Sequence, residues 1–478
     1  MNKKTVKFPC GAVTGNRTDW GYEFLGIPYG RAERFCPPRS VTWKGDRDCT
    51  AYGAPSLQPN FLGVHPEGME FSAVGSEDCL FLNVWTKHLN VEDCCEEWPV
   101  DAVRRPVVIY IHGGAFQVGS GGDPARSGEK FIAERDFVFV SVNYRLGVLG
   151  FLRPEEGAYT WNNGARDVLL AVEWVQKNIC AFGGDPDNII LMGISAGAKI
   201  LGSLLTRPEI QTSCRKVILE SGAMQSFRDC HTAETVWKEY CEYLPEGKSM
   251  EELTGEEIVR AQAAFCDREG STCFFGPVCD EEFFFSDWEE RWKHGQAWHG
   301  SAVLGSGRRE LAGQAGSEAF RRDPEPILFS LFGENGNLAR ARYEALPEGE
   351  ESWIRVLSDF MYRSYTDALA EALWKEDNPV WVYSFEFLPA RHGMGFHFLM
   401  NQWDNRNLGV EEERLPEAEH LAAQMRREIR DFIETGRPGE SWELYEGVNK
   451  RIYGSDVRME RREKDSLTVP SAQAYVRR

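Results

Sequence analysis

No stretch of this 478-residue chain approaches the roughly 18 consecutive apolar residues of a membrane-spanning helix, so bilayer insertion is not expected. The N-terminus starts basic, but no run of about 7 to 15 apolar residues follows it, so no secretory leader is read there. Cysteine is sparse and odd in number, 13 in all, and too irregularly spaced for a small disulfide scaffold. Repeats of fixed period and low-complexity tracts are both missing. Positive charge is also short: 54 Lys plus Arg against 74 Asp plus Glu leave a net charge of −20. Such a surface repels phosphate backbones and anionic headgroups, which disfavours nucleic acid and membrane surfaces as partners. These gaps predict a soluble, cytoplasmic protein. What remains is ordinary globular composition, 42% hydrophobic and 27% charged, which excludes disorder, collagen and coiled coil as descriptions of the whole.

Short β-branched runs alternate with helix-patterned segments, the sign of an α/β fold with a mostly parallel central sheet flanked by helices. The clearest strands are Val107–Ile111, Phe137–Val142, Ile189–Gly193, Lys216–Glu220, Ala302–Gly305 and Val380–Phe387. They read as near-continuous apolar runs, as expected of strands covered on both faces. Ala165–Asn178 has helical spacing through Val168, Leu169, Val172 and Val175 and stops at Phe182-Gly183-Gly184-Asp185-Pro186. Thr232–Gln262 and Ser352–Trp374 also look helical, and Glu417–Thr435 reads as a closing helix before Gly436-Arg437-Pro438. The expectation is one large domain, 1–478, with inserted helical cap segments at about 224–300 and 312–376. The acidic segment Asn90–Arg105, with Cys94 and Cys95, reads as a solvated loop rather than a metal site.

The sharpest chemical signal is Gly193-Ile194-Ser195-Ala196-Gly197, where a strand ends and a helix, Lys199–Leu205, begins. A tight strand-to-helix turn needs small residues on either side of a strained nucleophile. A bystander Ser on a glycine turn is the bland alternative. The second signal is His112-Gly113-Gly114-Ala115-Phe116, directly after the strand Val107–Ile111. Acyl transfer generates an oxyanion that inward-facing amides stabilise, so Gly114, Ala115 and Ala196 are the expected donors. Two such turns, at the two places a hydrolase needs them, are hard to produce by accident.

A nucleophilic Ser needs a His as base, and the His needs an orienting carboxylate, in the chain order Ser, acid, His. Of nine histidines, only His392, His397 and His420 follow the candidate strands. His420 lies inside the closing helix, and His397 sits among Phe396, Phe398 and Leu399, where a packed role fits better. His392, on a loop before Gly393, is favoured. Glu310 is the first carboxylate after the strand Ala302–Gly305, although Arg308 and Arg309 beside it also suit an ordinary surface Glu.

With these residues in place the chain resembles the type-B carboxylesterases of the α/β-hydrolase superfamily, the group of para-nitrobenzyl esterases and acetylcholinesterase. The resemblance runs through Phe24–Gly30, Ser76–Trp85, Asn143–Gly147, Phe182–Pro186, Glu220-Ser221-Gly222 and Asp431–Pro438. It implies Ser195 as nucleophile, Glu310 as acid and His392 as base, with Gly114, Ala115 and Ala196 as oxyanion donors. It also implies buried ion pairs Arg34–Glu77 and Arg145–Asp167, a buried Ser221 behind the acid, and no metal or organic cofactor.

Departures are visible. Ile194 stands where the family usually has Glu, Ala198 where a third Gly is common, and Gly395 where an acidic residue often follows the base. Gln58 replaces the partner cysteine of Cys79, so Cys79 is expected to be free, in keeping with a reducing compartment. Residues Leu57–Gly75 contain no Trp, so choline esters are not supported.

The expected activity is a serine carboxylic-ester hydrolase acting on small to medium neutral aryl or alkyl esters. A non-catalytic interaction module, and an amidase, thioesterase or carbamate hydrolase with the same triad, remain alternatives. Phe116, Phe274, Phe275 and Phe396 are candidates to wall an apolar pocket, with core packing the alternative for each. The expected partner is a small ester, with monomer and homodimer both open.

Overall fold

The computed structural model describes residues 3–9, 11–63, 65–89, 103–225, 227–269, 274–401 and 408–462. Most of the Asn90–Arg105 segment, with Cys94 and Cys95, lies outside the described residues. The chain gathers into two compact units. The first comprises Met1–Met192, Glu209–Arg215 and Glu234–Arg268, and the second Gly193–Pro208, Lys216–Ala233 and Glu269–Arg478. The span 224–300, grouped in sequence as one cap segment, is therefore shared between the units.

In the first unit, strands β1 (Lys3–Phe8), β2 (Gly11–Arg17), β3 (Tyr22–Pro28) and β4 (Phe81–Thr86) pair in antiparallel order. β4 then pairs antiparallel with β6 (Val138–Val142), which runs parallel to β5 (Arg105–Ile111). Every residue of β6, and all of β5 but Pro106, is buried. That burial is why both strands read as continuous apolar runs, with no polar face left to alternate. Helix α1 (Asn163–Asn178) buries Val168, Leu169, Val172 and Val175 on one stripe. A short 3-10 turn follows and ends at Gly183, whose φ of 84° supplies the left-handed stop.

Arg145 is fully ion-paired inside this unit. Its Nη2 lies 2.7 Å and its Nε 2.8 Å from the Asp167 carboxylate, and its Nη1 donates to the carbonyls of Glu33 and Cys36. Removing one partner of a buried pair like this costs about 3–5 kcal/mol, because the other charge stays desolvated. Arg34–Glu77 differs from expectation: the contact is made at 2.6 Å, but the side chains remain 24% and 34% exposed. It is a half-buried pair, and solvent screening makes it weaker.

In the second unit, β8 (Lys216–Glu220), β9 (Ser301–Gly307), β10 (Val380–Phe385) and β11 (Asn449–Tyr453) run parallel, and β12 (Val457–Arg461) closes the edge antiparallel. Strand β7 (Gly184–Ile194), whose residues through Met192 belong to the first unit, precedes helix α2 (Ala196–Leu204), which starts three residues earlier than the sequence pattern suggests. The helical segment Thr232–Gln262 is two helices, α3 (Cys230–Cys241) and α4 (Gly255–Glu269), most of whose residues belong to the first unit. The Pro245–Gly247 stretch interrupts it, since proline cannot donate in a helix interior.

Helix α5 (Glu350–Ser358) passes through a π-turn, Asp359–Arg363, into α6 (Ser364–Lys375). After the six-residue α7 (Met394–Leu399) comes α8 (Leu415–Thr435), burying Ala418, Leu421, Ala422, Met425, Ile429, Phe432 and Ile433 and ending at Gly436. His420 is exposed on α8, as expected.

Candidate active site

Ser195 follows β7 on a turn with φ 54° and ψ −122°, a strained pair that the surroundings must hold in place. Its amide donates to the Glu220 carbonyl at 2.9 Å, and its carbonyl accepts from the Lys199 amide, the first bond of α2. A Cβ at Gly193 would lie 2.8 Å from both the Ala198 nitrogen and the Gly197 carbonyl carbon, so the turn closes only around glycine.

Glu310 and His392 follow β9 and β10, whose ends align through Gly307 and Phe385. Neighbouring parallel strands thus deliver their following loops to one edge. The Glu310 side chain is fully buried, and three donors hold it. Its Oε1 accepts from the Gly307 amide and from Ser221 Oγ, both at 2.6 Å, and its Oε2 accepts from His392 Nδ1 at 2.5 Å. With the proton on Nδ1, His392 Nε2 is the acceptor facing Ser195 Oγ at 2.9 Å. Ser195 is 8% exposed and the His392 side chain 33% exposed, so the hydroxyl is shielded while the imidazole is partly open to solvent. Ser195, Ser221, Gly307, Glu310 and His392 all belong to the second unit.

Ala196 opens α2, and among the described residues its amide donates to no protein acceptor. In the first unit, the turn after β5 carries positive φ at Gly114 (118°), Ala115 (53°) and Phe116 (62°). Successive left-handed residues of this kind turn amides toward one side and form a concavity for an anion. The Gly114 carbonyl is used by the Gln117 and Val118 amides, and the Phe116 carbonyl by Gly147. The amides of Gly114 and Ala115 donate to no acceptor among the described residues. A Cβ on Gly114 would overlap the Val118 carbonyl oxygen, so glycine is required there.

The four candidate pocket residues are all buried, with Phe116 3% exposed and Phe274, Phe275 and Phe396 each 1%. Phe116 packs edge-to-face on Phe151, and Phe274 on Phe275. A cavity of about 770 Å³ in the second unit is lined by charged groups including Arg308, Arg309, Asp359, Arg363, Lys450 and Arg462, and by no triad residue. That wall suits no apolar acyl chain.

Two neighbours of His392 were invisible in the sequence. Tyr362, on the π-turn, stacks on the His392 ring at 4.6 Å and 28°. Lys199, buried on α2, sets its Nζ 5.1 Å from the Tyr362 ring centroid. Tyr362 precedes His392 by 30 residues, and no short-range pattern announces the contact. The π-turn that carries it is a feature that recurs at functional sites.

Comparisons with known proteins identify the family and the fold. The profile of the carboxylesterase family matches residues 2–316; the chain belongs to that family. It is 28% identical over 484 residues to the para-nitrobenzyl esterase of Bacillus subtilis (strain 168), covering 96% of this chain and 94% of that protein. Over 221 residues, 45% of this chain and 37% of that protein, it is 38% identical to esterase E4 of Myzus persicae. Among solved structures, a thermophilic PNB esterase matches with a TM-score of 0.80 at 26% identity, covering 96% of this chain and 97% of that one. A Geobacillus stearothermophilus carboxylesterase matches with a TM-score of 0.78 at 27% identity over the same shares. The fold is the α/β-hydrolase fold, and the activity is serine carboxylic-ester hydrolysis. Among the described residues no helix is long and apolar enough to cross a membrane.

Proposed function

We propose that Ser195, His392 and Glu310 carry this ester hydrolysis through an acyl-enzyme. The observation that supports the assignment is the unbroken line from Ser195 Oγ to His392 Nε2 at 2.9 Å and from His392 Nδ1 to Glu310 Oε2 at 2.5 Å. Ser195 Oγ attacks the ester carbonyl carbon while its proton passes to His392 Nε2. The imidazolium gives that proton to the leaving alcohol, and the acyl group stays on Ser195. Water then attacks the acyl carbon, loses its proton to Nε2, and releases the acid as Ser195 is restored. Glu310 holds the Nδ1–H tautomer and stabilises the imidazolium, with Ser221 and Gly307 keeping its carboxylate oriented.

The Ala196 amide is the proposed oxyanion donor beside the nucleophile. The sequence order and the left-handed backbone of the other turn support Gly114 and Ala115 as the further donors. Neutral aryl or alkyl esters of small to medium size are the proposed substrates, and the net charge of −20 disfavours anionic ones. A cytoplasmic setting is part of the same reading. Its support is the Cys79 thiol, which is free and buried.

The test is hydrolysis of p-nitrophenyl acetate and butyrate, with intact mass after an organophosphonate probe, on wild type and Ser195→Ala. Turnover and a single adduct in the wild type, both lost in the variant, are expected. A folded wild type with neither turnover nor adduct overturns the assignment.

A further inference from the structure

One buried carboxyl in the second unit has no part in the reaction above. Glu220 ends β8, and its side chain is enclosed: Oε2 meets the Tyr383 hydroxyl at 2.6 Å and Oε1 accepts from the Phe396 amide at 2.8 Å. Phe396 lies in the first turn of α7, which follows the His392 loop without a break. A Cβ at Gly395 would lie 2.8 Å from Glu220 Oε1, so the space beside the His392 loop is filled by this carboxyl. From the same residue, the main-chain carbonyl holds the Ser195 amide at 2.9 Å. Its neighbour Ser221 donates to Glu310. Glu220 therefore touches the supports of all three reacting groups and none of their reacting atoms.

We propose that Glu220 is a positioning residue that pins the His392 loop to the end of β8 and, on ionising, adds a negative charge behind Glu310. The inference rests on the triad assignment above. Burial is the main influence on its proton, and with the nearby Glu310 charge it pushes the carboxyl up to about 8, against the pull of the Tyr383 and Phe396 bonds. Of the groups facing it, Tyr383 on β10 packs in turn on Tyr453 of β11, whose hydroxyl bonds Glu428 of α8. The Tyr383 hydroxyl donates to Oε2 and the Phe396 amide to Oε1, and below about pH 8 the carboxyl keeps its proton. Above that pH the proton leaves to solvent, and the Tyr383 and Phe396 bonds then hold a carboxylate. The new anion favours the imidazolium that forms when Ser195 attacks, so turnover rises again on the alkaline side of the base's own limb.

The experiment uses Glu220→Gln, which keeps the Phe396 bond and can donate its amide to the Tyr383 oxygen but cannot ionise, and Glu220→Ala, which loses both contacts. The wild-type pH profile of kcat for p-nitrophenyl butyrate is expected to show a second rise of about three- to tenfold centred near pH 8. E220Q is expected to lose that rise while matching wild type within about twofold at acidic to neutral pH. E220A is expected to lower kcat about tenfold at every pH with KM within about twofold. An activity-independent readout is the infrared carbonyl band of a protonated carboxyl, present near neutral pH, fading as pH passes about 8, and absent from E220Q.

A second rise that survives in E220Q, a wild-type profile with a single limb, an unchanged kcat in E220A or a missing band each overturns the proposal. A wild type with no ester turnover overturns the triad assignment instead, and the infrared band still decides the protonation of Glu220.

Discussion

The turn after β5 and the turn after β7 both close a buried strand around glycine, and they are built from opposite materials. His112–Gly119 works through backbone: φ is positive at Gly114, Ala115 and Phe116, the Gly114 and Ala115 amides have no acceptor among the described residues, and the side chains pack elsewhere, Phe116 on Phe151 and His112 on Tyr144. Gly193–Gly197 works through one side chain, Ser195, whose partners arrive from residues 115 and 197 positions further along. A backbone-built turn carries its function in local φ and ψ, so its own sequence specifies it. A side-chain-built site requires tertiary folding to assemble its partners.

Substitutions sharpen that contrast. Ser195→Ala should lower kcat by on the order of 10⁶, the scale of losing a nucleophile, with no adduct from the phosphonate probe. Glu310→Gln should cost about 10⁴ in kcat, because the amide favours the wrong imidazole tautomer. Gly114→Ala should cost about 10²–10³ in kcat, the scale of one oxyanion donor, by pushing the turn off the Val118 carbonyl. Circular dichroism and the thermal midpoint check that these three variants stay folded. Were Gly114→Ala as active as wild type, the backbone reading of the first turn would fall. Ser221→Ala removes one of three donors to Glu310 and should reduce kcat about tenfold, the kinetic equivalent of roughly 1–2 kcal/mol.

Stability against pH gives the smallest effects, and the two regions should respond with opposite sign. His112 is buried beside β5, and desolvation pushes its imidazole down to about 4 from an ordinary 6.5. The fold favours the neutral ring, so this stabilising contribution is present above 6.5 and lost as pH falls toward 4. Glu220 is shifted the other way, from 4.5 up to about 8. The fold favours its neutral acid, so that contribution is complete below 4.5 and lost as pH rises toward 8. Urea midpoints across this range should fall at the acid end through His112, and Glu220→Gln should remove part of the loss at the alkaline end. A midpoint difference between E220Q and wild type that does not change from pH 4.5 to 8 would contradict the second half.

Much of the candidate site was legible because its parts are local. A buried strand followed by Gly-x-Ser-x-Gly, another followed by His-Gly-Gly, and a His on a glycine loop after a late strand are each short patterns that chemistry restricts. Strands with β-branched runs covered on both faces were equally plain: Lys216–Glu220 is found with the same bounds, and Val380–Phe387 ends two residues earlier. The pocket aromatics were less readable, since a Phe in a core and a Phe at a substrate wall share one sequence pattern. Thr232–Gln262 misled because its mixed charge and apolar spacing continue across the break at Pro245–Gly247.

Composition, the two glycine turns and the order Ser195, Glu310, His392 were determined by the sequence alone, because φ preferences, residue chemistry and apolar runs act over a few neighbouring residues. Tertiary structure decided the rest. It set Tyr362 against the face of His392, left Arg34–Glu77 half in solvent while burying Arg145–Asp167, and enclosed Glu220 between Tyr383 and Phe396. Burial and desolvation depend on which distant segments pack together, and no window of sequence contains both sides of such a contact.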